Sequence, residues 1–287
     1  MQFSHERSVP QSLREYGRGV AGGLIFALPL LFTTELWDAA LKIPAEKLGL
    51  HLAITFCLLL LYNRYAGLRK EATLAEVVID SVEEFGIGLV LAFAVLFLLG
   101  RIGSENSWPE IVNRVILEGM TLAIGVSVGT AQLGTEEANS ADGSDGDDGK
   151  GGIDYDYVAQ SAIALCGAVL FAANIAPTYE VGVIAREATA GQLVAIMIFS
   201  IWLGLGVLYF AAFRGSGKYV PERRWTWITR EILTAYAASL AASAYVIYFL
   251  GSFSASSPMH FTAGMIVVGL PAMLGASAGR LILQRDD

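Results

Sequence analysis

Charge is what this chain has least of. Asp, Glu, Lys and Arg make up 16% of its 287 residues, where soluble domains carry about 25%, so an ordinary water-soluble globule is excluded. His5, His51 and His260 are scattered, and Cys57 and Cys166 both sit in apolar runs without CxxC or Cys–His spacing. A zinc site and a disulfide framework are thereby excluded. The net charge is −8 and no basic, aromatic-interleaved patch exists, so no nucleic acid partner is expected. Strand-like alternation is missing, which excludes an outer-membrane barrel. HExxH and GxSxG are absent and no histidine lies near a candidate nucleophile; no enzyme and no cofactor are expected. The opening MQFSHERSVPQSLREYGRG lacks the apolar core and small-residue cleavage site of a secretory signal, so the first span is expected to direct insertion.

What is abundant is apolar sequence, 54% of the chain in long runs. A membrane span takes about 20 such residues. Reading between charged or turn-rich punctuation gives spans at 19–41, 49–66, 77–100, 111–133, 157–176, 191–213, 228–250 and 261–280. The expected fold class is an all-α polytopic membrane protein with about eight transmembrane helices. On that count, 14 of the 19 Lys and Arg residues fall on the side shared by both termini. Because cytoplasmic loops are rich in Lys and Arg, both termini are expected in the cytoplasm, and the protein multi-pass in the inner (cytoplasmic) membrane.

The segment EEANSADGSDGDDGKGGIDYD, residues 136–156, is too polar and glycine-rich to pack. It fails the EF-hand spacing, since counting from Asp145 puts Gly149 fifth and Lys150 sixth, and reads as a solvated connector. The chain then divides into a cytoplasmic segment (1–18), four helices (19–133), an acidic flexible cytoplasmic linker (134–156) and four more helices (157–283).

Comparing the halves points to a 4+4 parallel internal repeat. A shift of 145 residues lays GGLIFALPLLFTTE (22–35) on GAVLFAANIAPTYE (167–180), Gly119-Met120 on Gly264-Met265 and Ala131 on Ala276; a shift of 151 pairs Asp80 with Glu231 and Gly100 with Gly251. Since four is even, both halves would insert the same way up, around a pseudo-twofold axis along the membrane normal. The GxxxG pairs Gly19/Gly23, Gly125/Gly129 and Gly275/Gly279 provide small faces for helix packing in lipid.

Carboxylates at membrane depth then need a reason. Arg18 and Glu35 are 16 residues apart when counted exclusively, about 24 Å of straight helix, which puts Glu35 and Asp38 in the outer part of a core about 30 Å thick. Glu180 holds the matching place after Pro177. In EVVIDSVEEF, Asp80, Glu83 and Glu84 follow Glu76 at helical spacing, and Glu118 adds an acid near the start of span four. A charge at the bilayer centre costs at least about 2.5–3.5 kcal/mol, so such acids face a bundle interior or a wet cavity; the plain alternative is that they reach headgroups or pair with Arg18, Arg64, Arg69, Arg114 or Arg186. Pro29 and Pro177 remove helical bonds to Ile25 and Ala173, and Pro271 breaks span eight likewise. Interrupted helices with free carbonyls coordinate Na+ or receive protons in many transporters, and Thr33, Thr34, Asn174 and Thr178 could add neutral oxygens suited to a hard cation.

At LREYGRGVAGGLIFALPLLFTTELW, LYNRYAGLRKEATLAEVVIDSVEEFGIGL, GMTLAIGVSVGTAQLG and ANIAPTYEV the chain resembles a family of bacterial "putative integral membrane proteins" of uncharacterised function. The resemblance implies a polytopic membrane protein and transfers no catalytic residue. The expected function is a cation- or proton-linked transporter or ion channel handling protons, Na+, K+ or Ca2+ in the lipid bilayer, with a homo-oligomer left open. The alternative is a non-transporting scaffold or sensor that docks partners through its acidic loop.

Overall fold

A computed structural model describes residues 9–67, 72–132, 153–215, 225–250 and 257–283. The acidic linker lies outside the described residues as far as 152, as does Gly251. The described residues form ten α-helices and no strand: α1 Val9–Leu31, α2 Thr34–Lys42, α3 Ala45–Ala66, α4 Leu74–Leu98, α5 Trp108–Gln132, α6 Ile153–Ile175, α7 Tyr179–Glu187, α8 Ala190–Gly215, α9 Trp225–Leu250 and α10 Pro258–Leu283. Seven helices are long and apolar enough to cross a membrane, or eight if α1 and α2 count as one span.

The expected first span, 19–41, is two helices bent by 83°. Pro29 cannot donate a helical bond, and two i to i+3 bonds, Phe32 N–H to the Pro29 carbonyl and Thr33 N–H to that of Leu30, close the last turn. Thr33 then adopts an extended conformation and α2 departs sideways. The carbonyls of this break are taken up inside the protein. Thr33 Oγ1 donates to Pro29 O (3.1 Å) and Trp37 Nε1 to Leu31 O (3.2 Å). Pro177 lies between two helices: α6 ends at Ile175, as expected ahead of an X-Pro step, and the Thr178 amide and hydroxyl both donate to the Ile175 carbonyl. Pro271, expected to break the last span, lies within an uninterrupted α10.

Helix directions follow from which ends meet. Residues from the start of α1, the end of α3, the start of α4 and the end of α5 line one cavity, so these four helices alternate in direction. Asn174, near the end of α6, donates to the Phe26 carbonyl in the later part of α1 (2.7 Å), so α1 and α6 run the same way. Tyr157 and Thr234, early in α6 and α9, share a 2.8 Å hydrogen bond, while Gly279, late in α10, packs on Ile163, early in α6.

Glycines set the closest approaches. A Cβ on Gly22 would fall on the backbone of Gly129 and 2.9 Å from the Gly125 carbonyl; one on Gly167 would fall on the backbone of Gly275. α1 therefore crosses α5, and α6 crosses α10, at backbone contact, as small residues allow in lipid. Gly100, with φ +66°, ends α4: the Arg101 amide reaches back to the Leu96 carbonyl (2.8 Å), a Schellman closure that a left-handed glycine permits. One core cluster runs through α1–α3, α5–α7, α9 and α10, and a smaller one joins α1, α4 and α5.

Candidate functional site

α4 starts with a capping box, Thr73 and Glu76 satisfying each other's backbone amides, which assigns Glu76 a local role. Beyond it the helix buries Val77, Ser81, Glu84, Gly88, Ala92 and Leu96, a stripe of helical period facing α3 and α5. Gly88 lets the backbone of Ala123 come close, which draws α4 onto α5. Glu84 belongs to that inward stripe and is 8% exposed.

Its carboxylate is held from two other helices. Asn63 Nδ2 on α3 donates to Glu84 Oε2 at 2.6 Å and to Ser81 Oγ at 3.0 Å. Ser127 Oγ on α5 donates to Asn63 Oδ1 at 3.0 Å, and Ser81 Oγ donates to the Val77 carbonyl at 2.7 Å. Such a charge-assisted bond in a connected network fixes the carboxylate's position. Beside it lies a cavity of about 40 Å³ lined by Glu15, Tyr16, Asn63, Asp80, Glu83, Glu84, Ile87 and Thr130, more than the ~10–15 Å³ that one water needs. Asp80 and Glu15 are half-buried and Glu83 exposed, so the cavity grades from the bundle's end to a buried carboxylate.

Glu118, on α5, is 1% exposed and neither carboxylate oxygen has a hydrogen-bond partner. Arg114, one turn earlier, is its charged neighbour and donates to the Arg101 carbonyl. Asn174 donates to the carbonyls of Phe26 and Leu170 (both 2.7 Å), leaving its buried Oδ1 without a partner. Unsatisfied buried polar atoms are rare in folded proteins and mark strain or a place for something else.

The other predicted acids lie elsewhere. Because α1 stops at Leu31, the straight-helix depth assigned to Glu35 and Asp38 does not apply: both are on α2, Glu35 half-buried and Asp38 exposed, and Glu180 is exposed in the first turn of α7. Glu35 Oε2 accepts from Thr34 Oγ1 (3.1 Å) and Oε1 from the Tyr179 amide (3.4 Å). The structure thus brings Glu35 beside the start of α7, as a tie between the two short helices. Neither cavity described here is lined by Glu35, Asp38 or Glu180.

Sequence reasoning missed Asn63, Ser81, Ser127 and Glu15. Asn63 stands between Tyr62 and Arg64 at the end of a span, where it reads as boundary punctuation, and the serines vanish among small packing residues.

Residues 15–283 match the family described as "Putative integral membrane protein (DUF2391)", and the chain belongs to that family. No curated protein and no solved structure matches it.

Proposed function

We propose, starting from membership of an integral membrane protein family, that the chain is a proton-linked transporter or channel in which Glu84 is the proton-carrying carboxylate. The observation that carries this reading is a buried, tightly positioned carboxylate at the foot of a cavity that begins at one end of the bundle. Intramembrane carboxylates in such places mark ion or proton pathways. A proton is favoured over a divalent cation because, among the described residues, no three His, Cys, Asp or Glu side chains gather as they would around a metal. Glu118 serves as a second carboxylate toward the other face. Along α5 it is nine residues from Ser127, about 13 Å at 1.5 Å per residue, so the two acids sit at different depths. The excess of Lys and Arg supports cytoplasmic termini in the inner membrane, with the Glu84 cavity opening inward.

The order of helices supports a four-plus-four duplication: each half has a long helix, a nine-residue helix and three further long helices, with its first and last helices crossing at glycines. The test is flux into proteoliposomes carrying a pH-sensitive dye, under proton, Na+, K+ and Ca2+ gradients. Proton movement above empty vesicles that Glu84→Gln abolishes is the expected result. Wild-type flux from a folded Glu84→Gln protein would end this reading.

A further inference from the structure

The second polar feature of the interior lies where the two halves meet. His51 and Thr55 of α3, Thr121 of α5 and Tyr245 of α9 line a cavity of about 10 Å³, closed by apolar residues of α5, α6 and α9. Tyr245 Oη lies 2.7 Å from His51 Nδ1 and 3.2 Å from Thr55 Oγ1. The imidazole stacks on the Tyr245 ring, with centroids 5.5 Å apart and planes at 21°, and meets the Phe249 ring at 5.0 Å. These contacts pin the ring, and His51 is only 5% exposed. Its other nitrogen, Nε2, is buried with no hydrogen-bond partner.

A neutral imidazole has one donor and one acceptor nitrogen. With Tyr245 donating to Nδ1, the ring proton sits on Nε2. A buried donor left without an acceptor is costly, so the site calls for a small polar occupant. The volume is at the lower limit for one water, about 10–15 Å³, and a hydrated ion does not fit.

We infer that this cavity is a single-water site, in which the water accepts the Nε2 proton of His51 and is held by the Thr121 hydroxyl, both residues lining it. A buried water makes about two to four hydrogen bonds. This water ties α5 to the His51–Tyr245–Thr55 string, and so joins the first half to α9 of the second through hydrogen bonds. The inference goes beyond the transport reading and stands or falls independently of it.

The test is nitrogen-15 NMR of the full chain in lipid nanodiscs with labelled histidine, assigning His51 by the signal lost in His51→Gln. The expected result is a ring protonated at Nε2, with a cross-peak from that proton to a bound water. A ring protonated at Nδ1, or an Nε2 proton without water contact, overturns the proposal. Thr121→Val is expected to weaken the water cross-peak while Nδ1 keeps its Tyr245 contact; an unchanged cross-peak would remove Thr121 from the site. Tyr245→Phe is expected to let both tautomers appear, and a single unshifted tautomer there would overturn the assigned direction of the Tyr245 bond.

Discussion

Glu35 and Glu84 both stand in apolar surroundings when read along the chain, yet one ends at the side of the bundle and the other inside it. α2 holds Glu35 half-exposed, tied to Thr34 and to the start of α7. α4 carries Glu84 on its buried stripe, gripped by Asn63. The difference lies in the backbone. α1 breaks after Pro29 and turns the following acids out, whereas α4 runs unbroken from its capping box and turns its acid in. An acidic residue near a proline is thus not by itself turned into the interior; direction and neighbours decide.

The sharpest way to break this comparison is to neutralise each side in turn. Glu84→Gln is expected to lower proton flux at least about a hundredfold, the low end of what positioned proton-transfer groups contribute, while the Glu35→Gln/Glu180→Gln double variant stays near wild type. Equal losses in the liposome assay would return the site to the short helices. Next, Asn63→Ala removes the donor to Glu84 and the acceptor of Ser127, and is expected to destabilise the protein by about 1–3 kcal/mol, read as a lowered melting temperature in detergent. The rigidity of the interior is tested at its closest crossing: Gly22→Ala puts a methyl on the Gly129 backbone and is expected to cost about 1–3 kcal/mol. Gly17→Ala, with nothing within 4 Å, is the neutral control in the same melts. The smallest effect belongs to Glu35: Glu35→Gln weakens the tie to Thr34 and the Tyr179 amide and is expected to lower the melting temperature only slightly, and an unchanged melt would show that the tie is absent in solution.

Much of the scaffold was legible because a span announces itself by length. Seven of the eight expected spans are each a single helix with ends within a few residues of the reading, and the turn after Pro29 was missed because apolar sequence continues across it. Asp80, Glu83 and Glu84 were legible as a group, since helical spacing places them on neighbouring faces. Their partners were not. Asn63, Ser127 and Glu15 come from three other helices, and only the packing of α1, α3 and α5 around α4 brings them together. His51 and Tyr245, 194 residues apart, meet for the same reason. Glu35 was misplaced because depth was counted along a helix that bends.

The glycine crossings carry a mechanical consequence. With Gly22 seated on Gly129 and Gly167 on Gly275, neither pair of helices can slide or roll without steric collision, so α1 with α5, and α6 with α10, behave as two stiff struts. Any movement of one half against the other must therefore occur between the struts, at the seam where Asn174 grips the Phe26 carbonyl and Tyr245 grips His51.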